Sequence, residues 1–286
     1  MDTVWADIIG AAATVIVLAV AAYFDWRDRE VPDACWWILG TTGIILTGMK
    51  VLSDGFDAGY LMMLIGSFMI LADIALDRER PAAVSAVFYI VMAAMFIIPL
   101  FLERGDRLGT LYVIPVCFIL FYLLYIIGIL KGGADAKCFM VVAMVFQTYP
   151  SFLGMPLINL PAERAMLIIS FPLALLFHAA LFAVIGGLVY GICNILRDGL
   201  PAGIGSFFWK KMSIEEARVS YVWPKQDIVD GELCFISGTS DDEAVLDRLE
   251  TAGHSDVWVT PIVPFMVPTF VASVFILTVG NLLFIL

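Results

Sequence analysis

Apolar residues in this chain come in long runs, not in the strict alternation of a half-buried strand. Eight runs stand out, near 8–24, 34–52, 60–76, 83–102, 110–130, 136–149, 165–196 and 262–285. Most approach the roughly 20 residues that a helix needs to cross a hydrocarbon core of about 30 Å. The pattern predicts an all-α polytopic membrane bundle of about eight transmembrane helices. The sixth run is short and holds Gln147, which predicts a partly irregular segment inside the bundle. The longest polar stretch, 197–260, separates the last two runs.

That polar stretch predicts a small α+β domain. "RVSYVW" and "ELCFISG" have strand composition, rich in β-branched and aromatic residues. "SDDEAVLDRLETAG" predicts a short helix with a capping box between Ser240 and Glu243, closed by Gly253. The expected organisation is a bundle over 1–196, a small domain over 197–260, and a C-terminal transmembrane helix over 261–286.

Composition agrees with a membrane protein. The chain is 62% hydrophobic and only 15% charged, where a soluble domain carries about 25% charged residues. Net charge is −11, and twelve acids face six bases between Arg197 and Asp256. This balance excludes a nucleic-acid partner, whose phosphates need a basic face. The five cysteines (Cys35, Cys117, Cys138, Cys193, Cys234) lack paired spacing. They predict neither a disulfide framework nor a metal site, and read as small buried residues. His178 reads as a helix-contact residue and His254 as a loop residue. Asp2 and Asp7, rather than lysines or arginines, flank the start of the first run, which is therefore read as a retained span and not a cleaved signal peptide.

Orientation follows from the basic residues of the short loops. Arg27, Arg29, Arg78, Arg80, Lys131, Lys137 and Arg197 fall on one side, against Lys50, Arg104, Arg107 and Arg164 on the other. Seven against four predicts that the first set is cytoplasmic, with the N-terminus outside and the 197–260 domain inside, in a multi-pass plasma-membrane protein.

Two odd stretches then meet. "DWRDREVPDACWW" ends span one with Asp25, and "KGGADAK" opens span six with Asp135. An even number of spans returns both acids to the cytoplasmic face. Ionisable residues at span ends are costly unless solvated or paired, so they are candidate functional groups. Two carboxylates in one low-dielectric site share a single proton. One can then take a proton from water while the other donates to a peptide carbonyl, which is aspartic-protease chemistry requiring no metal or cofactor. Gly132 and Gly133 permit close backbone approach. Taken alone, the Gly-Gly-Ala-Asp run also fits a plain turn and helix cap.

The residues carry a resemblance. "GGAD" resembles the GxGD motif of intramembrane-type aspartyl proteases. "DWRDREVPD" resembles the first-aspartate motif of type IV prepilin peptidases, in their archaeal preflagellin (prearchaellin) branch. "DVWVTPIVPFMVP", entering the last span, is similar to a third segment of the same proteins. The three matches occur in order and cover the first forty residues or so, the neighbourhood of 131–140 and roughly the last thirty.

The resemblance implies an aspartic endopeptidase with Asp25 and Asp135 as catalytic dyad. It makes Gly132, Gly133 and Ala134 the active-site loop, with Lys137 following it, and Arg27, Arg29 and Pro32 the support of the first motif. The substrates it implies are archaellin- and pilin-like precursors, cleaved between a short basic leader and an apolar helix at the cytoplasmic membrane face. Ala134 departs from the second glycine of GxGD. The aspartates are also farther apart here than is usual in the family, by about one helical hairpin.

Asp73, near the end of span three, either lines a watery approach to the dyad or pairs with Arg78 or Arg80. Pro32 is expected to turn the chain before span two, and Trp36 and Trp37 to anchor at the membrane interface. The rival readings are another GxGD-type intramembrane protease and a proton-coupled transporter using paired carboxylates.

Overall fold

The computed structural model describes residues 4–55, 57–76, 80–102, 108–158, 170–236 and 242–285. The chain divides into two compact units, Met1–Ala180 with Pro264–Leu286, and Leu181–Val263.

The first unit is a helical bundle. Its elements are α1 (Val4–Asp28), α2 (Asp33–Asp54), α3 (Ala58–Ala75), α4 (Ala82–Ile97), α5 (Leu108–Leu111), α6 (Val113–Ile126), α7 (Gly133–Val145), the start of α8 (Phe171–Asp198) and α11 (Met266–Thr278). Among the described residues six helical stretches are long and apolar enough to cross a membrane: Val4–Asp28, Asp33–Ser53, Ala58–Ala75, Ala82–Phe101, Leu108–Ile126 and Phe171–Asp198. The sixth and eighth apolar runs of the sequence also form helices. At 13 residues each, however, α7 and α11 rise only about 20 Å.

α7 is the axis of the bundle. Every residue from Cys138 to Val145 is buried, as expected for a helix that is apolar all round. It packs mainly against α2 and α6, while α1 packs against α11 and α2. Phe139 stacks on Phe121 at 5.1 Å. α2 approaches α7 at backbone distance. A methyl added at Gly43 would lie 2.7 Å from the carbonyl carbon and oxygen of Met144, so a small residue is required there.

The short axis is possible because its free C-terminal carbonyls are satisfied inside the protein. Gln147 Nε2 donates to Met144 O at 2.6 Å and to Ala143 O at 3.1 Å. Thr47 Oγ1, from α2, lies 3.2 Å from both Met144 O and Gln147 Oε1. Gln147 therefore ends the helix, and the irregular segment follows it. That segment is itself paired, with Leu157 N and Ile158 N donating to Thr278 O and Val279 O at the end of α11. His178 accepts from Leu282 N at 3.2 Å, which makes it a buried helix-contact residue.

Trp36 differs from its expected place at the membrane interface. Its side chain is fully buried, because it lies with Cys35 and Leu39 on the face that α2 turns into the bundle. Trp37 is half-buried and lies beside Phe68. Cys35, Cys117 and Cys138 are buried, whereas Cys193 and Cys234 are exposed.

The second unit holds the end of α8 and an α+β fold. Its sheet runs β1 (Lys210–Ser213), β5 (Asp256–Pro261), β2 (Val222–Pro224), all antiparallel. A separate hairpin joins β3 (Gln226–Val229) to β4 (Glu232–Phe235). Asp230 and Gly231 both have positive φ, the signature of a tight two-residue hairpin turn. The strand expected from Arg218 is shorter, because Ile214–Arg218 is helical (α9), capped by Ser213 accepting from Glu216 N. The helix expected at 240–253 is α10 (Asp242–Thr251). It closes on Gly253, with His254 N bonded to Leu249 O. Ser240 lies outside the described residues. Met212, Leu249, Val257 and Val259 form the centre of this unit's core.

Basic side chains of this unit are taken up by its acids. Arg248 forks onto Asp227 at 2.9 and 2.7 Å, and Arg218 reaches Asp247 and Glu250. The bidentate Arg248 bond, then Ile228 N, holds the Asp227 carboxyl below the usual carboxylate range. The folded state therefore releases a proton that the unfolded state keeps. This stabilisation is complete above the ordinary pKa of about 3.9 and is lost as pH falls through the lower folded value. Thermal melts of Asp227→Asn should accordingly lie below wild type near neutral pH and converge on it below about pH 4.

Gly43→Ala should destabilise the bundle by about 1–3 kcal/mol, because backbone cannot yield to the added methyl as a side chain can. Denaturant unfolding in detergent measures it, with Gly48→Ala as the tolerant control, since a methyl there meets only Leu64 Cδ1 at 3.5 Å.

Candidate active site

Asp25 sits near the end of α1, and Asp135 in the first turn of α7. Both are half-buried. Asp135 lies within the electrostatic field of Asp25. Each is also held by backbone. Asp25 Oδ2 accepts from Met266 N, the first residue of α11, at 2.9 Å. The Asp135 carboxyl accepts from the backbone of Gly132.

The two glycines before Asp135 are not equivalent. Gly132 caps α7 in extended conformation, and Asp135 folds back over it. A methyl on Gly132 would lie 2.5 Å from Asp135 Oδ2. A methyl on Gly133 would meet only the Tyr125 ring and hydroxyl, at 3.9 Å or more. Close approach is thus a property of Gly132 alone. Ala134 continues the helix, half-buried, and its methyl is accommodated.

Lys137 reaches across to the other motif. Its Nζ donates to Asp33 Oδ1 at 2.7 Å, joining the second turn of α7 to the first residue of α2. Pro32 is the N-cap of α2, with φ −60 and ψ 135, and its carbonyl accepts from Cys35 N. Arg29 has φ +58, a left-handed conformation uncommon outside glycine. It turns the chain between α1 and α2 and sets its charge in the field of Asp25. Arg27 stands apart. Its partners are Tyr23 and Asp28, both at 3.4 Å, and it is exposed.

Asp73 is bonded by Arg80 at 2.9 Å and Tyr89 at 3.0 Å, and Arg80 lies 4.2 Å over Phe88. This is the pairing reading of Asp73. Arg78 lies outside the described residues. A cross-bundle ion pair, Lys50 with Asp7 at 2.7 Å, closes the opposite ends of α1 and α2.

Two contributors were not legible as such in sequence. Asp33 stands within the first motif, and its only signal is opposite charge to Lys137. Met266 acts through its N–H, and a backbone donor leaves no trace in residue type. The surroundings of Asp135 are apolar or weakly polar, with Cys138 within its field and Phe139 edge-on to Phe265 at 6.4 Å. Among the described residues, no three His, Cys, Asp or Glu side chains gather as a metal site.

No protein-family model matches the chain. A preflagellin peptidase of Methanocaldococcus jannaschii is 24% identical over 170 residues, which covers 58% of this chain and 69% of that protein. The chain is thus a distant relative of a preflagellin peptidase.

Proposed function

We propose that this protein is a membrane-embedded aspartyl endopeptidase of the GxGD type, with Asp25 and Asp135 as its dyad. The observation that supports the reading is that Asp135 lies in the field of Asp25, from the opposite part of the chain, while each carboxyl accepts a bond from backbone. The named peptidase relative adds support.

In this reading the pair holds one proton. The ionised carboxylate takes a proton from a water molecule, whose oxygen attacks the peptide carbonyl carbon. The protonated carboxyl donates to the carbonyl oxygen. The tetrahedral intermediate then collapses, the C–N bond breaks, and the leaving nitrogen takes up the proton first removed from water. Gly132 lets the Asp135 carboxyl fold back toward the chain. The Lys137–Asp33 bridge holds the two motifs in register, and Arg29 and Pro32 shape the turn between α1 and α2. Arg27 is the member of the first motif that faces away.

The substrates of this reading are archaellin- and pilin-like precursors with a short basic leader and an apolar helix. A bond preceding a membrane helix would arrive at the cytoplasmic boundary, where the basic-loop count puts the dyad. The eight-span topology belongs to the same proposal. α7 and α11 are counted as crossings in which paired non-helical backbone completes the depth that 13 residues leave. So does the division into a bundle over 1–196, a cytoplasmic domain over 197–260 and a last helix over 261–286.

Co-expression with an archaellin- or pilin-like precursor tests the dyad. Wild type should shorten the precursor on a gel, and Asp25→Asn and Asp135→Asn should each lose at least about 10²-fold in rate. Cleavage retained by either variant refutes the dyad.

The loop separates more finely. Gly132→Ala should lose on the order of 10²-fold in rate by displacing the Asp135 carboxyl, while Gly133→Ala should stay near wild type. Equal effects of the two substitutions, at matched protein levels, would contradict the role given to Gly132.

A further inference from the structure

The residues that follow α8 do not behave as the start of a polar domain. From Gly199 to Trp209 the sequence "GLPAGIGSFFW" carries no charge, between Arg197–Asp198 and Lys210–Lys211. It is ordered by its own hydrogen bonds. A 3₁₀ turn spans Gly203–Ser206, and Ser206 Oγ donates to Gly203 O at 2.7 Å and accepts from Ala202 N at 3.2 Å.

This segment folds back along the helix it leaves. Phe207 packs so closely on Gly191 of α8 that a methyl there would overlap its ring, and Phe208 lies 3.5 Å from where a methyl on Gly187 would be. Those contacts leave the other large apolar side chains facing out. Leu196 is 81% exposed, Leu200 43%, Ile204 90% and Phe208 46%. Leu196 continues the exposed row of Leu188 and Ile192 on α8, and Leu200, Ile204 and Phe208 follow in the turns beyond its end. Exposed contiguous apolar surface of this kind marks an interaction site, since monomers in water seldom keep it.

We infer that residues 196–209 form an interfacial membrane anchor, lying at the boundary of headgroups and acyl chains. Continuity selects the occupant. The strip lies against the last turns of a helix long and apolar enough to cross a bilayer. The length of α8 agrees. Its 28 residues rise about 42 Å, some 12 Å more than the hydrocarbon core. The surplus is two turns or so, and the segment folds back along it and one turn beyond, to Gly191 and Gly187. The segment suits this depth because its backbone polar groups are largely bonded within it and its flanks are charged. The bases nearest to it are already engaged, Arg197 with Asp198, Lys210 with Glu216 and Lys211 with Asp256. Attachment should therefore depend on apolar contact and not on anionic lipid. The inference is independent of the peptidase reading.

Lipid quenching tests it on the full chain. In a background carrying Cys193→Ala and Cys234→Ala, Ile204→Cys and Leu200→Cys are each labelled with a nitrobenzoxadiazole fluorophore. The protein is reconstituted in phosphatidylcholine vesicles with lipids spin-labelled at the headgroup, high on the acyl chain or near its end. Size-exclusion behaviour and far-ultraviolet circular dichroism report that the variants fold. The expected result is strongest quenching by the headgroup and upper-chain labels at both positions, several-fold lower access to aqueous iodide than for the label in detergent-free unfolded protein, and no change when phosphatidylglycerol is added. Full access to iodide without lipid quenching would overturn the inference. So would quenching strongest from the chain ends, which would make the segment part of a span. Protection from both quenchers, with self-quenching that falls on dilution into unlabelled protein, would assign the strip to a second copy of the chain and overturn it as well.

Discussion

The structure depends on one constraint, that backbone polar groups at membrane depth must find partners inside the protein. α7 is too short to span the hydrocarbon core, and both its ends open within the bundle. At its C-terminus the carbonyls of Ala143 and Met144 are taken by Gln147, with Thr47 of α2 beside them. At its N-terminus Gly132 and Asp135 bond to each other. Those bonds fix α7 in depth and rotation, and α2 follows because Gly43 lets the two backbones touch. Where Asp135 points is a consequence of that fixation.

Asp25 is positioned by the same economy of polar groups. Its carboxylate takes the N–H of Met266, one of the donors that every helix start leaves free. α1 and α11 are thereby joined at Asp25. The Asp33–Lys137 bridge makes a second tie between the same neighbourhoods. The proposed dyad thus rests on α1, α2, α7 and α11 together, and α1–α11 and α2–α7 are the most extensive helix contacts. A site built on rigid packed helices holds its geometry better than one carried by loops.

The second unit follows soluble-protein rules except for one exposed apolar segment. Its core of Leu249, Val257 and Val259 and its paired arginines are those of a small water-facing domain. The uncharged segment before β1 is not. Residue counting assigned 197–260 to polar structure as a block, because acids and bases from Lys210 onward outweigh eleven quiet residues in any average. Exposure of Leu200 and Ile204 separates the two regimes.

The sequence by itself determined the membrane class and the helical character of the apolar runs among the described residues, and it named Asp25 and Asp135 as candidates. The first two follow from length and hydropathy, which are local or additive quantities. It also marked Gln147 as the point where the sixth run becomes irregular, since a buried amide needs partners. Only the tertiary structure decided that six stretches among the described residues reach full spanning length, that Trp36 is core rather than anchor, and that Gly132 rather than Gly133 needs to be small. It alone showed that Arg27 turns away while Arg29 faces Asp25, and that Asp33 meets Lys137. Each of these depends on which side of a helix faces which neighbour. That is set by close packing between segments far apart in sequence, and residue type does not encode it.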